Sequence, residues 1–391
     1  MPFIAAVLNS HLHIVSFDVP YPADYGGVID VFNTIQALHQ LGVAIHLHCF
    51  EYGRGEQDVL KRYCTEVHYY PRSTGHKGLS HKLPYIVSSR NNRLLWERLN
   101  ADEHPVLLEG IHCTYGLASG LLKKKNVFVR LHNVETMYYR QQARWTKQPI
   151  KMAYMYAESL LLKKYEKKIA GICPLIALSP HDATYYKNTF HAAHITCIPP
   201  FISWQKISAG ASSASFALYF GKLSVPENEA VATWLLKEVF STISVPLVIA
   251  GKDPSPALVS LAHRMQHTCI VENPSDADLQ ELIAKAQCCV IPSFTNTGVK
   301  LKLLNALFCG KHVITNKKML AGSELDSLCS VASDKKSMQK MIQQCFETDF
   351  TDAEKERRNE ILFGRYNNLE NGKKLMAFIQ QPLPAAFRPP F

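Results

Sequence analysis

The sequence predicts an α/β protein of two domains, each built on a parallel β-sheet. Short apolar runs of strand length alternate with longer segments whose apolar residues follow helical spacing. Glycines stand where these segments end and tight turns begin. At 391 residues the chain is long enough for roughly two or three domains, and two is the expected number. Its 47% hydrophobic and 19% charged residues are ordinary for a globular protein.

The first strand–helix–strand unit lies near the amino terminus. Residues 11–17 (HLHIVSF) form the first predicted strand, and residues 43–50 (VAIHLHCF) form the second. Between them, Gly26-Gly27 opens a predicted helix. The glycine pair therefore lies at the carboxyl end of a strand, where open α/β sheets bind their ligands.

Histidines alternate along these two strands. His11 and His13 share one face of the first strand, and His46 and His48 share one face of the second. If the two faces coincide, four imidazoles cluster, and a metal site is one interpretation. The pattern shows no carboxylate or cysteine that completes a ligand set, since Cys49 points to the other face. We therefore predict no metal site.

Two later strands of this domain also end in polar groups. Residues 106–108 lead into Glu109, and residues 127–131 (VFVRL) lead into His132. His132 is therefore expected at the binding edge of the sheet. A histidine that only caps its strand is the alternative interpretation.

A small, polar, low-complexity run that begins at Ser203 (SWQKISAGASSAS) is the best domain boundary. We predict a first domain over residues 1–202 and a second over residues 203–364. The second domain opens with a strand at 216–220 (FALYF), which leads into the turn Gly221-Lys222.

Residues 288–316 follow the plan of a βαβ unit: strand, glycine turn, helix, glycine, strand. The turn ends in Gly298, and apolar spacing predicts a helix from Val299 to Phe308. Backbone N–H groups at such a helix start favour a bound anion.

Lys300 and Lys302 lie in the predicted first helical turn, where the helix dipole disfavours cations. A bound phosphate removes that conflict, and two solvated lysines are the alternative. Residues two apart on a helix point about 200° apart, so we expect one lysine to face the anion and favour Lys300.

Four motifs, in order along the chain, resemble those of the family-four retaining glycosyltransferases. They are the Gly26-Gly27 turn, the Leu-His-Asn at His132, the Gly-Lys-Leu at Lys222, and the donor-segment run from Thr297 to Gly310. The resemblance implies a GT-B fold, with two Rossmann-like domains facing each other across a cleft. It also implies that a carboxy-terminal helix at about 365–391 joins the first domain. The amino-terminal stretch is similar to bacterial transferases that build surface polysaccharides.

The implied reaction moves a sugar from a nucleotide diphosphate sugar to a hydroxyl of a saccharide or lipid-linked acceptor, with retention. His132 is the implied catalytic candidate, placed against the transferred sugar. The implied donor-binding residues are Gly26, Gly27, Lys222, Thr297, Gly298, Val299, Lys300 and Asn305. Lysines and backbone amides can stabilise the leaving diphosphate, so neither a metal nor another cofactor is expected.

Three positions depart from the family pattern. Thr297 and Asn305 stand where the family has glutamates, and they can form hydrogen bonds without carrying charge. Lys222 stands where the family has arginine, so the charge remains but the bidentate geometry is lost. A second interpretation therefore stays open, a non-catalytic GT-B domain that binds a nucleotide or an assembly partner. A sugar-nucleotide epimerase is a third, whereas no GxGxxG pattern supports a nicotinamide dehydrogenase.

The net charge of +10 suits an anionic partner, and no nucleic-acid-binding pattern is present. Residues 147–168 are predicted as a basic helix with aromatic side chains, which either packs on its own sheet or contacts an anionic membrane.

No apolar run reaches the roughly 18 residues that span a membrane, and the start does not resemble a signal peptide. The eleven cysteines fit reduced thiols. We expect a cytoplasmic protein and leave peripheral contact with the inner membrane face open.

Overall fold

A computed structural model describes residues 10–123, 126–146, 148–209 and 215–382. The chain divides into two compact units. The first is made of residues up to 140, residues 153–203 and those from 365 onward, and the second is made of residues 141–152 and 204–364. Residues 141–152 therefore group with the second unit, although we predicted them in the first domain. Part of the low-complexity run (210–214), Lys147 and the end of the predicted carboxy-terminal helix (383–391) lie outside the described residues.

The first unit is built on a parallel sheet. Its strands are β1 (His11–Ser16), β2 (Ala44–Glu51), β3 (Glu66–Pro71), β4 (Val106–Glu109), β5 (Val127–Leu131), β6 (Leu175–Ala177) and β7 (Ile195–Cys197). They form one seven-stranded sheet in the order β3-β2-β1-β4-β5-β6-β7. Side chains on both faces of β1 and β5 are buried, as expected where helices cover both faces of a parallel sheet.

Eight helices belong wholly or partly to this unit. They are α1 (Gly26–Gln40), α2 (Tyr85–Ser88), α3 (Arg93–Leu99), α4 (Tyr115–Ser119), α5 (Glu135–Trp145), α6 (Pro149–Ala170), α7 (Pro180–Phe190) and α15 (Asn368–Ile379), counted among the described residues. Helix α15 packs against α1, where Gly372 lies close to Leu41 and Ala37. The predicted helix over 147–168 is observed as α6.

The second unit has a parallel sheet of its own. Its strands are β8 (Ala217–Phe220), β9 (Leu247–Gly251), β10 (Thr268–Glu272), β11 (Cys288–Val290), β12 (His312–Asn316) and β13 (Ser330–Ala332). They form a six-stranded sheet in the order β10-β9-β8-β11-β12-β13. Its helices in the described ranges are α8 (Pro226–Trp234), α9 (Pro256–Arg264), α10 (Asp276–Lys285), α11 (Leu301–Cys309), α12 (Lys317–Leu320), α13 (Lys335–Cys345) and α14 (Asp352–Arg365).

Two parallel α/β units confirm the predicted fold class. In each sheet the strand order reverses beside the first strand, between β1 and β4 in one unit and between β8 and β11 in the other. Where the strand order reverses, the loops after two neighbouring strands run to opposite faces of the sheet. A crevice therefore opens between these loops, at the carboxyl ends of the strands. Each unit therefore has a defined place for a ligand.

None of the helices in the described ranges is both long enough and apolar enough to cross a membrane. All eleven cysteines are free thiols, and eight of them are buried. The thiols therefore contribute to packing as small apolar side chains.

Gly251 permits two loops at the carboxyl edge of the second sheet to meet. A Cβ atom at this position would lie 1.9 Å from the carbonyl oxygen of Gly221. The same two loops are joined by a hydrogen bond from the Leu223 N–H to the Lys252 carbonyl at 2.8 Å. The backbone itself would have to move to make room for a side chain.

We predict that Gly251→Ala lowers the free energy of unfolding by about 1–3 kcal/mol, because overpacking forces the backbone to shift. Urea denaturation followed by tryptophan fluorescence measures this change. Gly364→Ala is the matched control, since a Cβ atom there meets no other atom within 4 Å. The control should keep or raise stability, and equal stability of the two variants would contradict the prediction.

Candidate functional site

Four ionisable side chains meet at the carboxyl edge of the first sheet. We call Asp30, Glu109, Arg130 and His132 the buried charge cluster. Glu109 ends β4, Arg130 lies in β5, His132 directly follows β5, and Asp30 projects from α1. Glu109 and Arg130 are 0% exposed and Asp30 is 1% exposed. Because water cannot solvate these charges, they must compensate one another.

The contacts within the buried charge cluster are close. Arg130 donates from Nη2 to Asp30 Oδ1 at 2.8 Å and from Nε to Asp30 Oδ2 at 3.2 Å. His132 Nε2 lies 2.7 Å from Glu109 Oε2, and His132 Nδ1 lies 3.6 Å from Asp30 Oδ2. Within the described part of the chain, Glu109 Oε1 and Arg130 Nη1 have no hydrogen-bond partner. The cluster therefore retains one acceptor and one donor that a bound hydroxyl group can satisfy.

His132 lies at the carboxyl end of β5, where the sequence places it. Its side chain is only 8% exposed, its Nε2 is engaged by Glu109, and the ring of Phe17 packs edge-on at 5.2 Å. The catalytic role of His132 stays a prediction. The sequence placed Glu109 at the end of a neighbouring strand but did not reveal Asp30, because Asp30 comes from a helix 100 residues before Arg130.

Gly26 and Gly27 are the first two residues of α1. A Cβ atom on Gly27 would lie 2.5 Å from the ring of Phe17, so a glycine lets this turn close over the end of β1. The hydroxyl of the preceding Tyr25 donates a hydrogen bond to Asp18 Oδ2 at 2.7 Å. No acidic side chain lies in the first turn of α1, so its N–H groups keep their attraction for an anion.

At the carboxyl edge of the second sheet, residues 291–300 form the β11–α11 turn. One oxygen of the buried Glu227 organises it: Oε1 accepts hydrogen bonds from Ser293 Oγ at 2.6 Å, Phe294 N at 2.8 Å and Thr295 N at 3.2 Å. Burial raises the pKa of Glu227, but these hydrogen bonds and the ammonium groups of Lys302 and Lys300 outweigh it, so the net pKa is lowered. The carboxylate is therefore ionised where the turn needs an acceptor.

Residues 141–145 support the same turn from outside. Gln141 Nε2 donates to Asn296 Oδ1 at 2.6 Å, and Asn296 N donates to Gln141 Oε1 at 3.2 Å. The ring of Trp145 stacks on Phe294 with centroids 4.9 Å apart. The turn is therefore held by contacts on both of its sides, which preorganises its backbone amides.

Gly298 has a φ of 64°, a left-handed conformation that glycine adopts without strain. Lys300 is extended (φ −88°, ψ 101°), so α11 begins at Leu301 rather than at Val299 as predicted. Among the residues that the structure describes, the N–H groups of Gly298 and Val299 donate to no acceptor. Gly298 is buried and Val299 is half-buried, so these amides lie unengaged inside the turn, and they precede the helix instead of belonging to it.

Both lysines of this region lie near Glu227. Lys300 Nζ donates to the carbonyl of Thr297 at 3.2 Å. Lys302 Nζ donates to Asn228 Oδ1 at 2.9 Å and lies 5.2 Å from the ring centroid of Tyr219. The expected divergence of about 200° does not apply, since Lys300 stands outside the helix. The preference for Lys300 over Lys302 as the lysine that faces the anion stays a prediction.

Asn305 is 7% exposed, and its Oδ1 has no hydrogen-bond partner in the described ranges. A buried amide oxygen without a partner is costly, and a ligand hydroxyl would satisfy it. Lys222 is exposed in the turn after β8, where its carbonyl accepts a hydrogen bond from Asn228 Nδ2 at 2.9 Å. Thr297, Asn305 and Lys222 thus lie on the loops and helix that flank the β8–β11 reversal.

Comparisons with known proteins identify the domain type. Residues 215–347 match the family model of the glycosyl transferases group 1. A relative from Klebsiella pneumoniae, described as an uncharacterized 44.6 kDa protein in the cps region, is 26% identical over 313 residues, which cover 75% of this chain and 79% of that protein. The family match therefore lies within the second unit and covers most of it.

Solved structures share the fold over nearly the whole chain. TarM superposes with a TM-score of 0.69 at 10% identity, covering 95% of this chain and 99% of TarM. HepE from Anabaena, determined with UDP and glucose, has a TM-score of 0.63 at 13% identity, covering 95% and 99%. Trehalose 6-phosphate synthase from Burkholderia multivorans has a TM-score of 0.59 at 12% identity, covering 95% and 98%. The predicted GT-B fold is confirmed.

We predict that Arg130→Met lowers the free energy of unfolding by about 3–5 kcal/mol, because it leaves the carboxylate of Asp30 buried and unpaired. Thermal and urea unfolding of the full chain measure the loss. Arg93→Met is the control, since Arg93 forms an exposed ion pair with Glu97 on α3, and it should unfold like the wild type. Wild-type stability of Arg130→Met would show that the cluster does not need this charge.

Proposed function

We propose that this protein is a glycosyltransferase that moves a sugar from a nucleotide diphosphate sugar to an acceptor hydroxyl, with retention of configuration. The observation that carries the proposal is the β11–α11 turn. Its two unengaged amides follow Thr297, whose carbonyl accepts a hydrogen bond from Lys300 Nζ, at the point of the sheet where strand order reverses. The ammonium group of Lys302 lies near Glu227, the carboxylate that holds the same turn. This arrangement fits a phosphate group, and the glycosyltransferase domain match covers it.

The diphosphate is assigned to the amides of Gly298 and Val299 and to the lysines around them. Preorganised N–H groups and ammonium groups stabilise the charge that develops on a leaving diphosphate. Lys222 supplies an exposed cation, and Lys300 and Lys302 supply partly buried ones. These groups perform the task without a metal ion, so we propose transfer that is independent of metal.

The nucleoside is assigned to the side of the site that Asn305 lines. Its unpartnered Oδ1 is an acceptor suited to a ribose hydroxyl. The neutral amide takes the position that a glutamate holds in the family that the sequence resembles. Thr297 takes the other glutamate position and offers a hydroxyl to the donor sugar. We therefore propose that hydrogen bonds without charge replace both carboxylate contacts.

In the first unit, His132 is the residue we propose to contact the transferred sugar. The unsatisfied Glu109 Oε1 and Arg130 Nη1 beside it offer an acceptor and a donor for sugar hydroxyls. Because the relative from Klebsiella pneumoniae is described as lying in a cps region, we propose a saccharide or lipid-linked acceptor of surface polysaccharide synthesis. A cytoplasmic location and contact with an anionic membrane belong to the same proposal.

A panel of nucleotide sugars tests the function directly. Thermal-shift measurements with UDP-, GDP-, ADP- and dTDP-sugars identify the donor, and a nucleotide-release assay then measures hydrolysis or transfer. One donor should both stabilise the protein and release its nucleoside diphosphate, also in the presence of EDTA. The anomeric configuration of the product, read by proton NMR, tests retention. Binding without any release would favour the non-catalytic alternative.

We predict that Lys300→Met raises the KM for the donor about tenfold to hundredfold, because a hydrogen bond to a charged group contributes about 1.5–3 kcal/mol. Steady-state nucleotide release measures the change. Lys285→Met serves as control, since Lys285 pairs with Glu281 at the exposed end of α10, and its KM should equal that of the wild type. An unchanged KM in Lys300→Met would remove this lysine from the donor site.

The pKa of Lys302 predicts a pH dependence. Burial lowers this pKa to about 8, although Glu227 raises it and Lys300 lowers it further. An anion binds the protonated form, so donor affinity should be full below pH 8. It should fall by up to about tenfold per pH unit above pH 8, until the raised pKa of the complex is reached. Calorimetric titration from pH 6 to 10 measures the profile.

Lys302→Met is the control for this profile. Its donor affinity should be weaker than that of the wild type at pH 7 and should lack the decline that begins near pH 8. A wild-type profile that is flat to pH 10, or a variant that shows the same decline, would contradict a role for the Lys302 charge.

A further inference from the structure

The first sheet carries a second polar site at its amino edge, opposite to the edge described above. We define the histidine cluster as His11, His46 and His104. His11 begins β1, His46 is the third residue of β2, and His104 lies in the loop two residues before β4. These three strands are neighbours in the order β2-β1-β4, so their amino ends bring the imidazoles together.

The imidazoles are in direct contact. His11 Nδ1 lies 2.9 Å from His46 Nε2. The ring of His104 stacks on that of His11 with centroids 4.4 Å apart, and it lies 5.7 Å from the ring of His46. One nitrogen atom of each residue lies within 4.8 Å of the others, and all three residues are partly exposed. The three ring nitrogens are therefore close to one another, and the residues that carry them are accessible from solvent.

Glu66 fixes the orientation of one ring. Its Oε1 lies 2.6 Å from His46 Nδ1, and its Oε2 lies 3.0 Å from His68 Nε2. A carboxylate only accepts hydrogen bonds, so His46 carries its proton on Nδ1 and turns the lone pair of Nε2 toward His11. Metal-binding histidines have this arrangement, in which the second ring nitrogen donates to a carboxylate. The alternating histidines of the sequence alone could not show that β3 brings such a carboxylate.

The buried neighbours of the cluster are already paired. His13 is 3% exposed and His48 is 1% exposed. His13 Nδ1 lies 2.9 Å from His48 Nε2, His13 Nε2 lies 2.9 Å from Asp102, and His48 Nδ1 lies 2.9 Å from the hydroxyl of Tyr70. These side chains complete a hydrogen-bonded chain inside the unit. The three partly exposed imidazoles are therefore the ones that a solvent ion can reach.

We propose that His11, His46 and His104 bind a divalent transition-metal ion of the Zn²⁺ class, with Glu66 as a positioning residue that orients His46. Imidazole ligands suit Zn²⁺, Cu²⁺ and Ni²⁺, whereas Mg²⁺ and Ca²⁺ prefer oxygen ligands. A Zn–N distance of about 2.0–2.1 Å places tetrahedral ligand atoms about 3.3 Å apart. The nitrogen atoms of the cluster reach this separation by small movements.

Of the three residues, His104 must move most to bring its nitrogen to the ligand separation. The ring planes of His11 and His104 are only 10° from parallel, so one ring must tilt before both can direct a lone pair at one ion. His11 and His46 are held in strands, whereas His104 lies in a loop and is the ring that can turn. The bound ion joins β1, β2 and the loop before β4, which gives it a structural role. The site does not depend on the proposed sugar transfer.

Isothermal titration of the untagged full chain with ZnCl₂, after treatment with a chelator, tests the proposal. The wild type should bind one ion per chain at the cluster, and Co²⁺ should give the intense visible absorption of a tetrahedral site. His46→Ala and His104→Ala should each weaken Zn²⁺ binding at least tenfold. Glu66→Gln should weaken it about tenfold while keeping the stoichiometry, because the loss of a carboxylate partner costs about 10–100-fold in metal affinity.

His81→Ala is the matched control, since His81 is an exposed histidine of the same unit, and it should bind Zn²⁺ like the wild type. Thermal unfolding without metal shows whether each variant is folded, and His104→Ala, in a loop, is the variant that best preserves the sheet. No binding by the wild type, or equal affinities of His46→Ala, His104→Ala and His81→Ala, would overturn the proposal.

Discussion

The donor site proposed for the second unit depends on one carboxylate oxygen. Oε1 of Glu227 accepts hydrogen bonds from one hydroxyl and two backbone amides of the β11–α11 turn. Glu227 lies in the first turn of α8, where the helix dipole also favours its negative charge. Hydrogen bonds to a charged acceptor contribute about 1.5–3 kcal/mol each. The turn is therefore fixed before any ligand arrives. The N–H groups of Gly298 and Val299, which follow in the same turn, donate to no acceptor in the described ranges.

Charge is arranged differently in the two units. In the second unit, one buried carboxylate is surrounded by two lysines, which leaves a positive excess for an anionic ligand. In the first unit, one buried carboxylate pairs with an arginine and the other lies within hydrogen-bond distance of a histidine, so both carboxylates have a partner inside the buried charge cluster. Burying a charge pair is favourable only with good geometry. The charges of the first unit thus hold His132 in place, and those of the second surround the turn where we propose that phosphate binds.

Much of the fold could be predicted from the sequence because strand and helix periods are local signals. The strands at residues 11–17, 127–131 and 216–220 were found within one or two residues of their observed ends. Helix α11 was predicted two residues too early. Its apolar spacing begins at Val299, but the left-handed Gly298 and the extended Lys300 delay the first helical hydrogen bond.

The site was less accessible to prediction because its contacts join distant parts of the chain. Asp30 and Arg130 are 100 residues apart, and Glu227 and Phe294 are 67 residues apart. Nothing in the local pattern around Glu227 shows that its carboxylate will meet the β11–α11 turn. The glycines and lysines of the motifs could be found by resemblance, whereas the groups that orient them needed the sheet topology.

The crystal structure of the protein with its nucleoside diphosphate tests the central claim most directly. The account predicts a phosphate oxygen about 3 Å from the N–H groups of Gly298 and Val299, with Lys300 in contact and the hydrogen bonds to Glu227 intact. A phosphate bound elsewhere, with these two amides still facing solvent or protein, would contradict it.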